Sequence, residues 1–80
     1  MKIVSISEIL ECNQLLKDSG LKFKIHLRDA CGKQSCSIES LSDSNGSEQY
    51  QVLYQTLEAY FGNLRFRLEY SADNKNFWMS

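Results

Sequence analysis

The sequence predicts an α+β two-layer sandwich, with two helices on one face of a mainly antiparallel sheet of three to four strands. The order is α-β-β-α-β, with short edge strands added. Three observations carry this prediction. Tyr50, Leu53, Tyr54, Leu57, Tyr60 and Phe61 recur at helical spacing. Leu21, Phe23, Ile25 and Leu27 alternate with Lys22, Lys24, His26 and Arg28, the mark of a strand with one wet face. Leu64, Phe66, Leu68 and Tyr70 alternate in the same way with Arg65, Arg67 and Glu69.

Residues 1–4 are short, apolar and β-branched enough for a small edge strand. Ser5-Ile6-Ser7-Glu8 is a capping box, in which the Ser5 hydroxyl takes the Glu8 N–H and the Glu8 carboxylate returns to the Ser5 N–H. Val4 and Ile9 stand where a hydrophobic staple would. The helix runs to about residue 18, with Ile6, Ile9, Leu10 and Leu16 on its packed side and Asn13 hydrogen-bonding among them. Ser19-Gly20 stops it, because glycine tolerates the left-handed cap. The strand from Leu21 leads through Gly32-Lys33-Gln34 into a partner strand over 36–41, an antiparallel hairpin. A polar loop follows over 42–47. Asn45 or Ser47 caps the second helix, with Glu48 favourable in its first turn, and Gly62 ends it. The third strand spans 64–70, a turn covers 73–76, and Phe77-Trp78-Met79 returns as a short last strand that packs, or marks a partner surface if exposed.

Eighty residues form a single small α+β domain over 1–80. At 42% hydrophobic and 11% aromatic residues, the chain is too apolar to be disordered. A net charge of -1 argues against a generally basic nucleic-acid binder. No apolar run approaches bilayer-spanning length, and residues 1–5 lack the apolar core of a signal peptide. Three cysteines, an odd number, fit a reducing compartment better than a disulfide framework, so the expected location is cytoplasmic.

The richest stretch chemically is Arg28-Asp29-Ala30-Cys31-Gly32-Lys33-Gln34-Ser35-Cys36. It gathers two cysteines and an Arg-Asp pair beside His26, at the end of one strand. Cys31 and Cys36 would face each other across a four-residue hairpin loop, where a dithiol, a lone nucleophile or sulfur carrier, or a soft-metal site could arise. Arg28, Lys33 and His26 would favour thiolate over thiol. Asp29 shares the parity of the inward apolar residues and needs partners there. It is read as an organiser of the turn, with a general base beside Cys31 as the alternative. The candidate catalytic residues are thus Cys31, Asp29, Cys36 and Arg28. Buried cysteines more often serve as small apolar residues, and Cys12 is read that way. Cys12, Cys31, Cys36 and His26 lack the paired spacing of a structural zinc site, so no metal site is assigned. No cofactor is required by the sequence; zinc and iron–sulfur clusters are disfavoured.

The second candidate is the sheet face left open by the helices. Alternation places Lys22, Lys24, His26, Arg28, Arg65 and Arg67 there, with Glu39 and Glu69 as partial compensation. The predominant reading is a solvated face. The functional alternative is a binding surface formed by Lys22, Lys24, His26, Arg65 and Arg67, for an acidic protein partner or a homodimer. Base-stacking aromatics are absent from this expected face, which disfavours nucleic acid.

The run Arg28-Asp29-Ala30-Cys31 resembles the motif of the small, uncharacterised bacterial RDAC family, whose members are similarly short. That resemblance implies no established activity. The helix, strand, Gly/Cys/Ser turn and second strand are also similar to HesB-like A-type iron–sulfur scaffold proteins, with Cys31-Gly32 and Ser35-Cys36 in the turn. Those carriers add a cysteine pair near the C-terminus, whereas residues 37–80 contain none. Two functions are therefore expected. One is an accessory protein with a reactive thiol or sulfur- or metal-binding site at Cys31/Cys36; the other is a non-enzymatic binding module on the open sheet face.

Overall fold

The computed structural model describes residues 3–30 and 33–80, except the side chains of Asp29, Ala30 and Lys33. Its elements are α1 (Ile6–Asp18), β1 (Phe23–Ala30), β2 (Lys33–Ser40), α2 (Ser47–Asn63), β3 (Leu68–Tyr70) and β4 (Asn76–Met79). The four strands form one antiparallel sheet in the order β1-β2-β4-β3. This is the α+β class and element order expected. The last strand is not an edge: β4 lies between β2 and β3, and β1 and β3 are the edges.

The α1 capping box forms as the sequence requires. The Glu8 N–H donates to Ser5 Oγ at 3.2 Å, and the Ser5 N–H donates to Glu8 Oε1 at 2.9 Å. The buried face differs from the expected one. Ile9, Cys12 and Leu16 point into the core, whereas Ile6 and Leu10 are 69% and 63% exposed. Ile6 and Leu10 are four residues apart and share a helix face, so the turn of α1 that buries Ile9 carries both outward. The expected edge strand over 1–4 falls partly on Met1 and Lys2, outside the described residues. Ile3 and Val4 are not in a strand, although Val4 is buried.

Two side-chain carboxamides fasten this N-terminal part to the sheet. Asn13 donates to the Ile25 carbonyl at 3.0 Å and accepts the Ile25 N–H at 2.8 Å. Gln34 donates to the Val4 carbonyl at 3.0 Å and accepts the Val4 N–H at 2.7 Å. Each amide presents one donor and one acceptor, just as a neighbouring strand would.

Both helices end in the same backbone motif. At α1 the Leu21 N–H donates to the Leu16 carbonyl and the Gly20 N–H to that of Lys17, with Gly20 at φ 77°. At α2 the Phe66 N–H donates to the Phe61 carbonyl and the Arg65 N–H to that of Gly62. These are Schellman closures, and the Phe61 and Phe66 rings, 6.4 Å apart, supply the usual apolar contact. Gly62 therefore does not end α2. Arg65 holds the left-handed position at φ 66°, where glycine is the common occupant. That closure consumes residues 64–66 and shortens the expected third strand to Leu68–Tyr70. Arg65 consequently precedes β3, in a left-handed turn and not in the expected strand. The α2 N-cap is Gly46, whose N–H is accepted by Gln49 Oε1 at 2.9 Å. Asn45, expected as a cap, instead donates to the Lys22 carbonyl at 3.0 Å and to Ser40 Oγ at 2.8 Å.

One core lies between the helices and the inner sheet face. Ile9, Cys12 and Leu16 of α1 meet Leu53, Leu57 and Phe61 of α2 over Phe23, Ile25, Cys36 and Phe77. The Tyr60 hydroxyl lies 3.0 Å from the Glu8 carbonyl and 3.0 Å from a Glu11 carboxylate oxygen, tying α2 to α1.

Asn13→Ala removes the partner of both polar groups of the Ile25 backbone. It should lower unfolding free energy by about 2–3 kcal/mol in urea titrations monitored by circular dichroism. Gly20→Ala meets no neighbouring atom within 4 Å. Its effect is backbone strain alone, an expected loss of about 1 kcal/mol in the same assay.

Candidate functional site

The two sequence-predicted sites share Arg28, on strand β1. In the first, strand β1 carries Arg28 and Asp29, and β2 carries Cys36. The pairing is Leu27 with Cys36, Arg28 with Ser35, Asp29 with Gln34, and Ala30 with Lys33. β2 thus begins three residues before Cys36, and the four-residue loop expected between the cysteines is not what joins the strands. Cys36 lies opposite Leu27, well inside the hairpin. Cys31 and Gly32, with the side chain of Asp29, fall outside the described residues, and so does the proposed role of Asp29 beside Cys31.

Cys36 is completely buried, between Leu27 on one side and Phe77 on the other. Burial pushes its thiol up to about 12, with a smaller contribution from Cys12. Cys12 is also completely buried, and burial followed by Glu11 pushes it up to about 12. Both are protonated core thiols at neutral pH, and proximity to cations does not govern Cys36. Among the described residues no group of three or more His, Cys, Asp or Glu side chains is placed to hold a metal ion.

The second site is the open face, where strand alternation makes the placement definite. Phe23, Ile25 and Leu27 turn toward the helices, so Lys24, His26 and Arg28 turn outward from β1 and are exposed. β2 contributes Ser35, Ser37 and Glu39, β4 contributes Asn76 and Trp78, and β3 contributes Glu69. His26 Nε2 lies 2.6 Å from Glu39 Oε1, a diagonal contact, since Glu39 is paired with Lys24 and His26 with Ser37. Lys22 precedes β1 and is exposed; its carbonyl accepts the Leu41 N–H at 2.9 Å. Arg67 is exposed at the far edge, where it exchanges backbone hydrogen bonds with Ser80 at 2.8 and 3.0 Å. The face therefore brings together Lys24, His26 and Arg28 on one edge strand. Lys22 borders them, while Arg67 stands on the opposite edge, beside a shallow depression lined by Glu58, Phe66, Arg67 and Leu68.

Sequence reasoning treats Phe77, Trp78 and Met79 as one group that packs or, if exposed, marks a partner surface; the structure divides them. Phe77 is completely buried, whereas Trp78 is 40% exposed on the open face. In register it sits between Ser35 of β2 and Glu69 of β3, and Ser35 in turn pairs with Arg28. A single line across the sheet thus reads Arg28, Ser35, Trp78, Glu69. The signal was the alternation of Phe77, Trp78 and Met79, which forces neighbouring side chains onto opposite faces.

The buried acids have a consequence at high pH. The Tyr70 phenol is pushed up to about 12 by burial, then by Glu58 and Tyr54, and its hydroxyl has no hydrogen-bond partner among the described residues. Cys12, Cys36 and Tyr70 stay protonated in the folded chain at pH values where the unfolded chain releases their protons. Stability should therefore fall as pH rises from about 9 toward about 12, seen as a declining urea midpoint. In the native protein at pH 8, Cys12 and Cys36 should resist alkylation, and should label fully once urea unfolds the chain.

No family model matches this chain, no curated protein matches it, and no solved structure matches it. The RDAC and HesB-like resemblances are neither supported nor contradicted by these comparisons.

Proposed function

We propose that this protein is a small non-enzymatic binding module that docks a protein partner on its open sheet face. The observation that carries the reading is Trp78, a large ring 40% exposed on an inner strand of the sheet. Its in-register neighbour on β2 is the small Ser35, so the ring has access from that side. Interface energy concentrates in such residues, because a rigid aromatic surface gains much from desolvation and loses little side-chain entropy. Lys24 and Arg28 supply steering charge along β1, and Glu39 and Glu69 supply the opposite sign. That mixture of signs favours a protein surface over a nucleic-acid backbone, which rewards cations alone.

A thiol-based function would rest on Cys31, because Cys36 belongs to the core. The two readings predict different mutants. Trp78→Ala, or Lys24→Glu with Arg28→Glu, should weaken capture of the partner at least tenfold, while Cys31→Ser should leave it unchanged. Quantitative pull-down with folding checked by circular dichroism measures this. Loss of capture with Cys31→Ser and its retention with Trp78→Ala would reverse the assignment.

A further inference from the structure

Building on the docking role of the open face, we infer that its occupant is a second copy of this chain. The copies meet face to face about a two-fold axis nearly parallel to the strands, passing between β2 and β4. The reason is the line Arg28, Ser35, Trp78, Glu69, one residue from each strand in sheet order. Its chemistry runs cation, small, large aromatic, anion, and it is complementary to its own reverse.

Rotation about that axis reverses the strand order but preserves height along the strands. β1 then lies over β3 of the second copy, and β2 over β4. Arg28 meets Glu69 of the other copy, and Trp78 meets Ser35, so a projecting ring enters the space left by a small side chain. The rotation repeats both contacts, as a two-fold interface requires. The other in-plane two-fold axis runs across the strands and lays β1 over β1. It would set the cations Lys24 and Arg28 of one copy against those of the other, which like-charge repulsion opposes. Charge therefore selects one axis of the two. The aligned packing angle of about 30° between stacked sheets accommodates this arrangement.

Size sets the expected affinity. Four strands about 4.8 Å apart give a face on the order of 500 Å² per copy, at the low end of specific interfaces. The dimer should therefore be reversible and weak, with dissociation between about 10 µM and about 1 mM.

Sedimentation equilibrium across about 10 µM to about 1 mM provides the test. The wild-type mass should climb toward that of a dimer, and Trp78→Ser should remain monomeric. Arg28→Glu alone and Glu69→Arg alone each create two like-charge contacts and should dimerise at least tenfold more weakly. An equimolar mixture of these two single variants should recover a one-to-one heterodimer, because both cross-copy contacts are then opposite in sign. The exposed charge variants keep the test decisive if Trp78→Ser folds poorly. A wild-type chain that stays monomeric throughout overturns self-docking, as does a mixture that behaves like its separate components. If Trp78-dependent capture of another protein persists in that case, the docking role stands with a different occupant; if it is also absent, both readings fall.

Discussion

The architecture depends on how the exposed backbone of edge strand β1 and the start of the chain are satisfied. Ile25 turns its N–H and carbonyl away from β2, toward the sheet edge, where unpaired groups would invite another strand. Asn13 occupies that edge with a carboxamide that matches both groups. Gln34 does the same for Val4, one residue before the Ser5 cap. α1 is thereby held at its start and at its middle by neighbouring strands. This double attachment sets the rotation of α1, so that Ile9, Cys12 and Leu16 reach the core and Ile6 and Leu10 remain outside.

The same constraint accounts for the open face. With α1 and α2 over one side of the sheet, the outward residues of all four strands are left to solvent. They are not a uniform basic surface. Lys24 and Arg28 concentrate cations on β1, Glu39 contacts His26, and Glu69 marks the β3 side. Trp78 stands between, so the face carries a centre and a direction. The inner side is the reverse case, where Cys36 and Cys12 serve packing and their thiols are held protonated by burial.

Much of this was legible in single residues and their spacing. The Ser5 capping box, the Gly20 stop, the alternation along β1 and the apolar stripe of α2 are local, because each depends on neighbours within a few positions. Asn13 was also recognisable as an internal hydrogen-bonding residue. Less was legible wherever a local rule had competing partners. Arg65 sits in an alternating segment, yet the α2 closure takes it into a left-handed conformation. Asn45 has the character of a cap, but bonds to Lys22 and Ser40 instead. Cys36 lies five residues from Cys31 in sequence, but the hairpin register sets it opposite Leu27.

The sequence by itself determined the α+β class, the order of elements and the ends of α1, since periodicity and capping act over short distances. Tertiary structure decided which face of α1 is buried, where β4 enters the sheet, and that Arg28, Ser35, Trp78 and Glu69 form one line. These outcomes depend on strand register and on the amide contacts of Asn13 and Gln34, which join residues far apart in the chain. A strand's alternation states which residues share a face. Only pairing with its neighbours states what stands beside them.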